Sequence, residues 1–219
     1  MPIKEESPAG DYAEIDRFDG GVGWLSFPEE GMQRASHVLD TDNGVFLVDP
    51  LDAPGLDELI AEFGDVAGVV LLLDRHGRDA GELARRHDVP VYLPQDIDVA
   101  VDAPTERLSG RLPGTEYELR RVTDFPGWHE AALWDGETLV VPEAVGTADF
   151  FRAGGEKLGV HPMLRPLPPK SLGNLDPERV LVGHGAGVME HASSALREAL
   201  RTSRRRAPKA WLGALKSAL

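Results

Sequence analysis

Gly68-Val69-Val70-Leu71-Leu72-Leu73-Asp74-Arg75-His76-Gly77-Arg78-Asp79-Ala80-Gly81-Glu82-Leu83-Ala84-Arg85-Arg86-His87 is the stretch on which the reading of this chain turns. Its first six residues form an unbroken apolar run, the pattern of a strand buried on both faces. Its last eight read as a helix that closes on a histidine, a residue suited to a helix C-terminus. Between them lies a strand end followed by a helix start, where α/β proteins place catalytic and ligand-binding groups. That loop offers two carboxylates, Asp74 and Asp79, and one imidazole, His76. It also holds Arg78, whose guanidinium has no lone pair to give a metal.

Working outward, residues 12–18 and 22–27 read as strands joined by a turn at Asp19-Gly20-Gly21, and 34–40 and 45–49 as a second hairpin around Asn43-Gly44. Leu56, Leu59, Ile60 and Phe63 fall at helical spacing within 54–63. The strand at 66–73, the helix at 79–87 and a strand at 89–93 make a β-α-β unit, which implies parallel pairing. Further strands are expected in 108–134, broken at Pro113-Gly114 and Pro126-Gly127, and at 138–141 and 179–182. Residues 151–170, rich in Gly and Pro, read as a long surface loop. Helices are expected at 188–200 and, after Arg204-Arg205-Arg206, at 208–219, where Trp211, Leu212, Leu215 and Leu219 share a helical face. The order predicts an α/β fold, an αββα sandwich of two mixed sheets with helices outside. The division expected is a loose segment 1–11, one domain 12–203 and a helical extension 204–219.

The chain has 219 residues, 42% of them hydrophobic, enough to build a sizeable core. It has no cysteine, which excludes disulfides, thiolate metal sites and cysteine nucleophiles. Its net charge of −14 argues against nucleic acid as a partner. No apolar run approaches a bilayer span, and Met1-Pro2-Ile3-Lys4 lacks the pattern of a signal peptide, so a cytoplasmic protein without membrane attachment is expected. Five lysines stand against 18 arginines on an acidic background, a composition suited to a salt-rich cytoplasm, where screening removes self-repulsion; the alternative is an ordinary acidic cytosolic protein from a GC-rich genome.

Several stations resemble the metallo-β-lactamase fold superfamily. Val48-Asp49 resembles the early strand that ends in an aspartate. The 74–79 loop sits where that family has its His-x-His-x-Asp-His motif. Pro126-Gly127-Trp128-His129 resembles a Pro-Gly-His turn, Val141-Pro142-Glu143 sits where a Gly-Asp pair ends a strand, and Gly183-His184-Gly185 resembles the closing Gly-His-Gly. The resemblance spans residues 12–200 and implies a two-metal hydrolase site of imidazoles and carboxylates sharing a hydroxide.

Carried over position by position, the pattern departs from the family. Asp74 replaces the first histidine, Arg78 the aspartate, Asp79 the last histidine and Glu143 the bridging aspartate. Trp128 stands where the third-station histidine belongs, with His129 one residue on. His76 and His184 are retained.

A guanidinium about 4 Å from a dication is repelled by on the order of 8 kcal/mol at an effective dielectric of 20. Arg78 is therefore expected to occupy the region of the second metal and pair with Asp79, Asp74 or Glu143. The leading expectation is a rewritten centre that has lost dinuclear hydrolysis, holds no metal and binds a small molecule, anions among the candidates, through Arg78, His76 and His184, with His37, Trp128 and His129 lining the pocket. The alternative is a mononuclear hydrolase of an ester, thioester or phosphoester. Asp74, His76, Glu143 and His184 would supply ligands for one manganese, iron or zinc ion, and Asp74, His76, Asp79 and His184 the catalytic groups. A third reading is a non-catalytic interaction protein that dimerises through its C-terminal helix.

Overall fold

The structure, a computed structural model, describes residues 4–5 and 8–217, with side chains to residue 214. Leu219 and the side chain of Leu215 lie outside the described residues, as do positions 1–3 and 6–7 of the N-terminal segment. Seven strands in sequence order form the first sheet: β1 Ala13–Phe18, β2 Gly21–Leu25, β3 Ala35–Thr41, β4 Gly44–Val48, β5 Val66–Val70, β6 Val91–Pro94 and β7 Thr105–Leu108. The first four pair antiparallel as two hairpins, and β4 to β7 pair parallel. The second sheet has the order β13 (Arg179–Val182), β10 (Thr138–Val141), β9 (Trp128–Trp134), β8 (Glu118–Phe125), parallel only between β10 and β13. A two-stranded ribbon, β11 (Val145–Gly146) with β12 (Gly159–Val160), stands beside it.

Strand alternation explains why two sheets stack. In β4 and β5, Phe46, Val48 and Val70 face inward, and Leu72 continues that face beyond β5. Val45, Leu47 and Val69 face the other way, joined by Leu71. The inner set meets Ala131, Leu133, Val140 and Leu181 of the second sheet, so a dry layer fills the space between sheets. The outer set packs against Leu56, Leu59 and Ile60 of α1 (Leu56–Ala61) and Ala80, Leu83 and Ala84 of α2 (Ala80–Arg86). On the far side, Ala132, Leu139, Val141, Val180 and Val182 pack against Ala192, Ala195, Leu196 and Ala199 of α3 (Ala192–Ser217). Helix, sheet, sheet, helix is the predicted αββα sandwich.

Three local expectations change. The two C-terminal helices are one, because α3 runs through Pro208. Proline lacks the N–H for the interior ladder and normally kinks a helix, but buried Ala207 and Ala210 hold this segment against the body. The expected boundary at 203/204 thus falls inside a helix. That helix starts at Ala192 rather than at 188, since Val188 exchanges two backbone hydrogen bonds with Val180, at 2.9 and 2.8 Å. Finally, the 151–170 loop contains β12.

At one end the sheets are tied together. The Ala35 N–H donates to Gly183 O (2.9 Å), and the Ala131 N–H to Leu72 O (2.9 Å). The loops leaving β4, β5, β10 and β13 therefore meet in one place.

Candidate functional site

Asp49 leaves β4, His76 follows the extension of β5, Glu143 follows β10 and His184 follows β13. All four are buried. One ligand atom from each of His76, Glu143 and His184 lies within 4.8 Å of the others. The far side of each imidazole is anchored. His76 Nδ1 donates to Asp49 Oδ2 at 2.9 Å, while Asp49 Oδ1 accepts from the Leu72 N–H at 2.9 Å. His184 Nδ1 donates to Met32 O at 3.0 Å. Each ring is thus held as a neutral tautomer with a bare Nε2, the arrangement in which a carboxylate or carbonyl orients a metal-ligating histidine. His76 Nε2 lies 3.6 Å from Glu143 Oε2. His184 Nε2 is buried and has no hydrogen-bond partner.

Burial, and then the nearby Arg78 charge, hold His76 well below its ordinary pKa; burial and then His76 do the same for His184. Burial pushes the Asp49 carboxyl up to about 6 and raises that of Glu143, with Arg75 opposing the latter shift. At neutral pH the centre is two neutral imidazoles among carboxylates and guanidinium groups.

Arg78 enters this centre from a left-handed backbone (φ 41°). Its Nη1 donates to Ala35 O and Asp49 O, each at 2.6 Å, and its Nη2 to Gly183 O at 3.3 Å. Nη2 also lies 3.5 Å from His76 Nε2. This corrects the expectation that Arg78 pairs with Asp79, Asp74 or Glu143: its hydrogen bonds go to backbone carbonyls instead. A carbonyl oxygen has two lone pairs, so Gly183 O and Asp49 O accept from Arg78 beside the Ala35 N–H and Ser36 Oγ, and a planar fork of donors can reach several such acceptors at once.

The remaining predicted residues are dispersed. Asp74 Oδ2 accepts from the His129 N–H (2.8 Å), tying the loop to the β8–β9 hairpin. Asp79 precedes α2 but makes no side-chain capping bond; its Oδ2 accepts from the Asp52 N–H at 2.8 Å. His129 Nδ1 sits 3.0 Å from Asp124 Oδ1, at the partly exposed hairpin. His37 is buried on β3, its Nε2 3.0 Å from Val182 O. Trp128 does adjoin the centre, because Arg75 stacks over its ring at 4.2 Å. Arg75 in turn reaches Glu143 Oε2 at 3.2 Å and Asp74 Oδ1 at 3.1 Å, capping the cluster.

Besides Arg75, two residues at the centre carried no expectation from the sequence. His161, just after β12, places Nε2 3.7 Å from Glu143 Oε1 and lies edge-on to Trp128 (4.7 Å between centroids). It sits in a Gly- and Pro-rich segment with no periodic signal. Glu130 accepts the N–H groups of Glu143 (2.8 Å) and Ala144 (2.7 Å) on one oxygen and Trp128 Nε1 (2.7 Å) on the other. It thereby fixes the turn that presents Glu143. A signal for Glu130 was available, since it shares a strand face with core residue Ala132.

The donor set fits one divalent ion. Three ligand atoms converge, one of them an orphaned imidazole nitrogen. Asp74 and Asp79 are turned to backbone amides and Arg78 lies beside His76, so among the described residues this triad is the one converging set of three such donors.

No family model and no curated protein matches the chain. Solved structures do. The DIM-1 metallo-β-lactamase exposed to ceftazidime aligns over 90% of this chain and 100% of its own at 13% identity, TM-score 0.58. TTHA1623 in a di-iron-bound form aligns over 74% of this chain and 93% of its own at 19% identity, TM-score 0.54. A putative diflavin flavoprotein fragment from Nostoc sp. PCC 7120 covers 90% of this chain and 97% of its own at 12% identity, TM-score 0.61.

Proposed function

For a chain with the metallo-β-lactamase fold, we propose a reduced centre: one divalent ion held by His76, Glu143 and His184, with the Arg78 guanidinium fixed where a second ion would sit. The observation that carries this reading is the buried His184 Nε2, without a partner and within a triad of ligand atoms no more than 4.8 Å apart. A buried lone pair left unmatched costs on the order of 1–3 kcal/mol, and a Lewis acid removes that cost. Two imidazoles and a carboxylate suit zinc, iron(II) or manganese. Such an ion would polarise an ester, thioester or phosphoester oxygen. Asp49 holds His76 in the ligating tautomer, Glu130 holds the Glu143 turn, and Arg78 supplies a fixed positive charge that a developing anion would meet. Both terminal nitrogens of Arg78 are already engaged and its Nε is buried, so an incoming anionic group would contact Arg75, the more exposed guanidinium of the loop.

A metal-free centre is the second reading, favoured by charge. Asp49 and Glu143 already face Arg75 and Arg78, and a dication adds to a balanced set. Elemental analysis of protein purified without chelator, followed by zinc and manganese titration, separates the two. About one ion per chain, lost in His184→Ala and in His76→Ala, is expected. Metal-free protein that takes up no ion, with an unfolding midpoint unmoved by EDTA, supports the second reading. About two ions per chain sinks both.

A further inference from the structure

One face of the molecule differs in character from the rest. Of the five large apolar side chains exposed among the described residues, four lie here: Met163 (72% exposed), Leu167 (76%), Trp211 (50%) and Leu212 (63%). Residues 162–167 are laid along α3 by three bonds. Ser203 Oγ donates to Arg165 O (3.0 Å), Arg204 Nε to Pro166 O (2.8 Å) and Trp211 Nε1 to Pro162 O (2.9 Å). The turn and the helix therefore form one continuous surface, with the apolar side chains standing out from it.

Its charge is inverted. None of the 37 acidic residues falls within 158–175 or 199–219, although the chain as a whole carries −14. Exposed Arg201, Arg204, Arg205 and Lys209 frame the apolar group on α3, and exposed Lys170 lies on the adjoining turn. The rest of the surface is correspondingly more acidic than the whole.

We propose that this face docks on an anionic lipid bilayer. Contact with the same face of a second copy would set arginines against arginines, and Glu198, the carboxylate bordering the frame, is already paired with Arg206. A bilayer with anionic headgroups complements the basic frame, and its acyl boundary accepts protruding Trp, Leu and Met side chains without preformed pockets. The contact is peripheral, since no helix of the described residues is long and apolar enough to cross a membrane. The overall acidic charge, which argued against membranes at the level of composition, is not decisive once charge is segregated. Repulsion from carboxylates farther than a Debye length, about 10 Å at 0.1 M salt, is largely screened.

The test is flotation of the full chain with vesicles of phosphatidylcholine alone or mixed with phosphatidylglycerol, read together with tryptophan emission. Trp24 and Trp128 are buried and Trp134 partly so, so a blue shift on binding reports Trp211. Flotation is expected with the anionic vesicles only. Arg205→Glu should weaken it by roughly twenty-five-fold for a two-unit charge change at about 1 kcal/mol per charge. Met163→Ser/Leu167→Ser, which alters exposed side chains alone, should weaken it without changing the unfolding midpoint. Flotation with neither lipid, equal flotation with both, or flotation indifferent to these variants overturns the proposal. So does a dimer in vesicle-free solution that Met163→Ser/Leu167→Ser dissolves, because a second copy would then own the face.

Discussion

At Arg78 a guanidinium stands where three backbone carbonyls converge. Ala35 O, Asp49 O and Gly183 O come from β3 and from the ends of β4 and β13, so one side chain satisfies acceptors from both sheets. Arg78→Met removes the guanidinium bonds, leaving Asp49 O with Ser36 Oγ and Gly183 O with the Ala35 N–H, and it cuts the side-chain tie between the sheets. A loss of about 3 kcal/mol or more in urea unfolding is expected. A loss below about 1 kcal/mol would mean that water replaces the guanidinium freely and that the residue has no structural role. The loop sequence pointed to His76 and Arg78 through residue chemistry alone. It did not disclose the carbonyl partners of Arg78, because strand-end backbone geometry is a property of the assembled sheets. His161 was hidden for a related reason: its approach to Glu143 depends on β12 pairing with β11, a contact too short to leave a pattern.

Among the elements, β1 carries a bulge between Ile15 and Phe18. There Asp16, in a left-handed conformation (φ 56°), accepts the Gly187 N–H at 2.6 Å. This joins the first strand to the turn after His184. Burial raises the Asp16 carboxyl from 3.8 to about 6. A carboxyl whose pKa is raised by folding binds its proton more tightly in the native state. Its contribution is full below the unfolded pKa and is lost as pH rises through the folded value. Relative to Asp16→Asn, the wild type should therefore lose stability between about pH 4 and pH 6, by about 1–3 kcal/mol once partial exposure is allowed for. Paired urea titrations across that range check it, and a difference that stays flat or grows with pH contradicts it. Hairpins and the β-α-β unit were legible because turns and apolar periods are local. The single α3 was not, since Pro208 is a strong local stop signal and only its burial-rich neighbours Ala207 and Ala210 override it.

For the whole molecule, the four stacked layers follow from residues that alternate along β4, β5, β9 and β10, and that pattern is visible in the chain itself. Charge is the other global property. At −14 with 18 arginines and five lysines, self-repulsion opposes the folded state at low salt. Exposed ion pairs such as Arg17 with Glu14 and Glu62 weaken on screening, but each is worth only about 0–1 kcal/mol. Relief of net repulsion and stronger apolar burial should win. Raising KCl from about 0.1 M to about 2 M is expected to raise the thermal midpoint. A midpoint that falls would show that the surface pairs dominate and that the composition is not an adaptation to salt.

The seat of Arg78 also bears on how this scaffold could be redirected. Exchanging it for an aspartate would not by itself create a seat for a second ion. The change would take the guanidinium from Ala35 O, Asp49 O and Gly183 O, while Asp74 and Asp79 would still face backbone amides. Any redesign toward a larger metal centre would first have to supply another tie between the two strand ends, because the same side chain closes the sandwich there.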